Sequence, residues 1–251
     1  MPPGPPNRAA TAAAVATPRP NRTRPRADRV QSLLRDLGAD LQQGLSPDAG
    51  RNPAEVCPTG LPALDQLIEG GLPRGHLSEL TGPTSSGRTT LALSLLAKIT
   101  EAGHCAGWID GSNAFDPISA SAAGVTLNRV LWARPPSSQE ALRCAERLLE
   151  TEGFPLVVLD LAARAEATPT HAWLRLARLA ASTNSALVLL GTQRRAGTAA
   201  YLALELSPAK AHWSQGLVLL EAIELEVILQ RHRAVPPGRR VRVDLPGSRA
   251  A

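Results

Sequence analysis

The segment Gly82-Pro83-Thr84-Ser85-Ser86-Gly87-Arg88-Thr89-Thr90 constrains this chain more than any other. It lies directly between an apolar run at 77–81 and a helical pattern at 89–102. It matches the phosphate-loop pattern G-x-x-x-x-G-K-[ST] at every fixed position except one, where Arg88 stands for lysine. The glycines of such a loop let the backbone curl round an anion, while successive N–H groups and the positive end of the helix point at it. A strand must deliver the chain into the loop and a helix must carry it away. The segment therefore predicts an α/β fold, with residues 82–90 as an anion site at the carboxyl end of a strand.

The flanking sequence supplies further units of the same kind. Strand patterns at 106–110, 130–133, 156–160 and 186–192 alternate with helix patterns at 139–152 and 170–181. Gly103 and Gly153 stop the helices at 89–102 and 139–152. Strands and helices alternating at these lengths predict βαβ units, hence a mostly parallel sheet flanked by helices. Beyond residue 217 the apolar period changes to two, with Ile223, Leu225, Val227 and Leu229 alternating with Glu224, Glu226 and others. A second strand at 240–245 follows a Pro236-Pro237-Gly238 turn. This pattern predicts a C-terminal antiparallel hairpin at the sheet edge. The domain so outlined spans 56–245. Before it, residues 1–26 read as a disordered tail rich in Pro, Ala and Arg, 27–43 as an amphipathic helix, and 44–55 as a linker; 246–251 read as a disordered end.

Charge divides the chain further. Its 251 residues carry 27 Lys plus Arg and 22 Asp plus Glu, a formal charge of +5. Residues 1–26 hold five arginines and no acid, 231–251 hold six arginines and one acid, and the 16 basic and 21 acidic residues between them leave the body mildly acidic. Nucleic-acid contact is therefore expected at the extremities, through the tail and through Arg231, Arg233, Arg239, Arg240 and Arg242. Arg194 and Arg195, which end a predicted strand on the side where parallel sheets place ligands, are candidates for DNA, phosphate or an acidic partner. Cys57, Cys105 and Cys144 are unpaired in spacing and the five histidines are scattered, so no disulfide framework or zinc site is expected. No apolar run is long enough for a membrane helix. These features predict a soluble, cytoplasmic protein, nucleoid-associated where it meets DNA. Trp108 and Trp132 fall in predicted strands and read as core.

The exchange at Arg88 bears on chemistry. Lysine is a compact charge on a slim stem, whereas arginine is planar, bulkier and forks towards two oxygens. An anion can still be held, but the charge is misplaced for efficient phosphoryl transfer. Thr89 is a candidate Mg²⁺ ligand. Leu156-Val157-Val158-Leu159-Asp160 looks like the apolar strand whose terminal aspartate holds the metal through water. ATP and Mg²⁺ are thus the cofactors implied, with binding without turnover, or none at all, left open.

Taken in order, Thr59-Gly60-Leu61, Leu64-Asp65, Gly70-Gly71-Leu72-Pro73-Arg74-Gly75, the loop 82–90, and Ile109-Asp110-Gly111-Ser112-Asn113-Ala114-Phe115-Asp116-Pro117 resemble the RecA recombinases. The resemblance spans roughly 56–195 and implies a RecA-like core in which Gln193 matches the nucleotide-sensing glutamine. It also exposes departures. Ser112 stands where the family has the glutamate that activates water, and Ser119 where an aromatic residue stacks on adenine. The segments after Asp160 and Gln193, where recombinases carry long DNA-binding loops, are short.

Arg129-Val130-Leu131-Trp132-Ala133-Arg134-Pro135, Trp213 and Gln230-Arg231-His232-Arg233 further resemble the ImuA type, the RecA-like accessory of bacterial SOS mutagenesis cassettes. That resemblance implies a partner role beside a translesion polymerase and its adaptor. Self-association is also consistent with it. Three readings stay open from sequence. One is an accessory of DNA damage tolerance acting through protein contacts, without an efficient ATPase. The second is a divergent DNA-dependent ATPase in which Asp110 or Asp116 replaces the base, and the third a RecA-like regulator outside repair.

Overall fold

The computed structural model describes residues 56–164, 167–208, 210–214 and 220–246. The expected tail, amphipathic helix and linker, and 247–251 of the end segment, lie outside the described residues. In chain order the described part begins with β1 (Val56–Cys57) and β2 (Leu72–Pro73), an antiparallel pair on either side of helix α1 (Pro62–Leu67). The long apolar runs follow. Every residue of β3 (Leu77–Thr81), β4 (Ala106–Asp110), β6 (Leu156–Asp160) and β7 (Ala186–Gly191) is buried. Strands covered on both faces read this way, as near-continuous apolar sequence without alternation.

Together with β5 (Val130–Ala133) and β8 (Ala200–Leu206) these strands form a parallel array. β10 (Leu220–Arg231) and β11 (Arg240–Pro246) close one side antiparallel, giving the order β11-β10-β8-β3-β7-β6-β4-β5. Short β9 (Lys210–Trp213) continues the line of β8 and pairs with the first half of β10. Alternation along the buried strands sorts side chains to two cores. Leu156 and Val158 face α2 (Arg88–Glu101) through Leu91, Leu95, Leu96 and Ile99. Val157 and Leu159 face α4 (Ser138–Glu150) and α5 (Thr170–Thr183), where Ala141, Ala145, Trp173 and Leu176 pack. Leu225, Val227 and Leu229 of β10 turn to the α2 side, as their period of two requires.

Local signals explain the helix ends. The Ser137 hydroxyl accepts the Glu140 N–H at 3.2 Å to start α4, and Asn184 ends α5 in a left-handed conformation. α3 (Pro117–Ala122), absent from the sequence reading, is started by Asp116 with Pro117 behind it. β8 was also not expected. Ala200-Tyr201-Leu202-Ala203-Leu204-Glu205-Leu206 has no clear period, so pattern alone does not separate a buried strand from a helix; its pairing with β3 and β10 decides it. The C-terminal hairpin is present as expected, but β10 lies between β8 and β11, so that of its two strands only β11 is at the sheet edge. Among the described residues no helix is long and apolar enough to cross a membrane.

Candidate functional site

The parallel strands β3, β4, β6 and β7 all end on one side of the sheet, which brings the loop 82–87, Asp110, Asp160 and Gln193 to a common rim. β3 runs into the loop and α2 leaves it. Gly82 fits where a Cβ would crowd Ser86 Oγ at 2.7 Å, and Gly87, at φ +81°, would drive a Cβ into Leu225. Gly87 also begins α2 without any side-chain cap, so the first N–H groups of a 14-residue helix have no side-chain partner there. The Ser86 hydroxyl is buried and unpartnered. An orphaned buried donor beside an uncapped helix start is what an anion site requires, and the loop fits a phosphate.

Arg88 donates from Nη1 to the Pro83 carbonyl at 3.0 Å, so its guanidinium rests on the rim of its own loop. Burial lowers its pKa, and the charge of Asp160 partly offsets that. Asp160 itself is 1% exposed. Burial pushes its pKa up, the Ala162 N–H and the Ser112 hydroxyl pull it down, Asp110 adds to the rise and Arg88 opposes it. Thr89, at the second position of α2, and Asp160 offer the hydroxyl and carboxylate oxygens that Mg²⁺ prefers.

Four serine and aspartate positions singled out by sequence, Asp110, Ser112, Asp116 and Ser119, are all engaged by neighbours. Ser112 Oγ donates to Asp160 Oδ1 at 2.7 Å and accepts the Ala163 N–H at 2.9 Å, bridging the ends of β4 and β6. Asp110 accepts Ala114 N–H at 2.8 Å, Phe115 N–H at 3.2 Å and Trp132 Nε1–H at 3.3 Å. Asp116 accepts Ile118 N–H, Ser119 N–H and, at 2.5 Å, the Ser119 hydroxyl. Those bonds to Ser119, side chain first, hold its carboxyl below the usual range.

The rim also contains residues the sequence reading passed over. Glu79, wholly buried in β3, accepts the N–H groups of Arg195 at 2.7 Å and Ala196 at 2.8 Å. Arg194 Nε lies 3.6 Å from its other oxygen. Arg195 donates to the Arg164 carbonyl, and Arg164 donates to the Gly111 carbonyl at 2.6 Å. A belt of contacts thus ties the short segments after β6 and β7 to β3 and β4. Arg195 is turned inward and Arg194 stays exposed beside Glu79; Gln193 is exposed. A charged residue inside the buried run Leu77-Ser78-Glu79-Leu80-Thr81 was the available signal for Glu79; Arg164 had none.

The other arginines lie elsewhere. Arg233 stacks over Tyr201 at 5.5 Å, and Tyr201 stacks on His76 at 4.3 Å, at the end of the sheet where β3 and β8 begin. Arg233 thus stands at the end opposite the loop, whereas Arg231 lies level with Ala203 in mid-strand β8, and the Arg239 carbonyl accepts the Leu229 N–H, level with Leu204. Arg240 and Arg242 sit across the hairpin from Ile228 and Glu226. Trp132 is 37% exposed rather than core, because β5 is an edge; Trp108 is buried as expected.

Comparisons with known proteins agree with this geometry. The family model described as the RecA N-terminal domain matches residues 35–171. Protein RecA of Picosynechococcus is 39% identical over 123 residues, covering 49% of this chain and 34% of that protein. Protein RecA of Symbiobacterium thermophilum is 39% identical over 132 residues, covering 52% and 38%. The chain thus spans little more than a third of the length of either relative. Among solved structures, the RadB recombinase superposes with a TM-score of 0.59 at 22% identity, covering 74% of this chain and 94% of that one.

Proposed function

This chain belongs to the RecA family, and on that premise we propose that it holds the phosphates of a nucleotide, with Mg²⁺, without turning the nucleotide over efficiently. We further propose that it serves DNA damage tolerance as an accessory, acting through protein contacts of the ImuA kind beside a translesion polymerase. One observation carries the first part. The Ser112 hydroxyl, which by the RecA resemblance stands where a water-activating glutamate is expected, is fixed between Asp160 Oδ1 and the Ala163 N–H. A serine hydroxyl is no base near neutral pH.

The two carboxylates that sequence left as substitutes are committed elsewhere. Asp110 accepts three hydrogen bonds, and Asp116 is engaged in starting α3 and held acidic by it. This weighs against the divergent ATPase. Thr89 and Asp160 would hold the metal, whose charge would screen that of the phosphates. The short, belted segments after β6 and β7 support contacts with protein rather than the long-loop grip on DNA, and leave the arginines of the hairpin for any phosphate backbone.

Binding is tested by thermal denaturation with ATP and Mg²⁺. Ligand at 100 times its dissociation constant stabilises the fold by about 2.7 kcal/mol. The expected result is a clear rise in melting temperature that Thr89→Ala removes; no rise at millimolar ATP refutes the reading. The partner role is tested by mixing the purified chain with a translesion polymerase and its adaptor, where co-elution is expected and separate elution counts against it.

A further inference from the structure

We propose that the loop recognises a chain of phosphates and is indifferent to what the chain carries, so that inorganic tripolyphosphate and nucleoside triphosphates of any base bind alike. The inference rests on the phosphate-site reading above and adds the class of ligand.

The phosphate side of the site is complete. α2 starts without a side-chain cap, the Ser86 hydroxyl is buried beside the loop with no partner, and the Arg88 guanidinium rests on a carbonyl that a phosphate oxygen can replace. The base side is bare. The strongest sequence-tolerant grip on a nucleobase is an aromatic face, and the chain has only seven aromatic residues, four Trp, two Phe and one Tyr, all of them described. None presents a free face at the rim. Phe115 is 7% exposed, with its ring 5.0 Å from that of Trp108 and 5.1 Å from that of Trp132. Trp132 carries the Arg134 guanidinium 5.3 Å over its ring and gives its Nε1–H to Asp110. Trp108 and Trp173 are fully buried, and Phe154 packs with the α4–α5 core. Tyr201 is stacked at the far end of the sheet.

Trp213 is exposed, but on β9. The ladder of β10 runs from Val227, opposite Leu206, to Leu220, opposite Trp213. At about 3.3 Å per residue that places Trp213 roughly 23 Å beyond the point where Leu206 meets Gly82, past the reach of a base whose phosphates fill the loop. Ser119 offers no ring to a base, and its hydroxyl is donated to Asp116 at 2.5 Å.

Base stacking on an aromatic ring is worth roughly 5- to 150-fold in affinity where it exists. The test is calorimetric titration of the full chain, at one Mg²⁺ concentration, with ATP, GTP, CTP, UTP and sodium tripolyphosphate separately. The proposal expects five dissociation constants within fivefold of one another. ATP binding more than fivefold tighter than tripolyphosphate, or than any of the other three nucleotides, overturns it. If none of the five binds at millimolar concentration, the phosphate-site reading fails and takes the inference with it.

Discussion

Removing the Glu79 side chain should loosen the rim of the sheet by an amount the hydrogen bonds define. Glu79 is wholly buried, and its Oε1 accepts two main-chain N–H groups, from Arg195 and Ala196. Glu79→Ala leaves both amides buried and unpaired, at about 1–3 kcal/mol each. It also opens a cavity, and it relieves the cost of burying a carboxyl group, which offsets part of the loss. The net expectation is a destabilisation of about 3–4 kcal/mol, or a fall of about 6–16 °C in melting temperature for a domain of this size. The Arg194 pair contributes little, since that guanidinium is well exposed. Glu79→Gln keeps an acceptor oxygen and should lose about 1 kcal/mol. Urea denaturation of the two variants separates the cases. If Gln destabilises as much as Ala, charge rather than the acceptor carries the effect and the reasoning is wrong; if neither variant moves the midpoint, the belt does not hold the rim.

Three further outcomes follow from the same structure. Gly87→Ala places a side chain at φ +81° and against Leu225, which should destabilise the domain by about 2–4 kcal/mol and remove ATP stabilisation in the same thermal melts. Asp160→Asn should stabilise the ligand-free protein at neutral pH. Burial raises the Asp160 pKa, so the stability this group contributes is fully present below the ordinary aspartate value and is lost as pH rises through the folded value. The advantage of the Asn variant should therefore shrink to nothing as denaturation is repeated towards pH 4, and an advantage that grows on acidification contradicts the assignment. Burial pushes the Cys57 thiol up to about 11, so peptide mapping after iodoacetamide at pH 8 should find exposed Cys105 modified first and Cys57 only on unfolding.

The strands and helices of the α/β core were readable because burial and period agree: 77–81, 106–110, 130–133 and 156–160 are strands residue for residue. The phosphate loop was readable because its glycines answer a local steric demand. What the sequence hid was long-range. Whether 200–206 is strand or helix is decided by β3 and β10 beside it, and the loop-distal position of Arg233 follows from the direction of β10. The commitment of Asp110, Ser112, Asp116 and Ser119 to neighbours depends on backbone amides that no motif records. Glu79 was the missed residue with a visible signal, a charge in an otherwise enclosed strand.

The central claim is that the bound nucleotide stays intact because Ser112 cannot activate water. Hydrolysis of radiolabelled ATP by excess protein, with and without single-stranded DNA, tests it directly. The account predicts that ATP remains whole at rates far below the ~1 s⁻¹ floor of typical enzymes, with no stimulation by DNA. DNA-stimulated turnover that disappears in Thr89→Ala would contradict it.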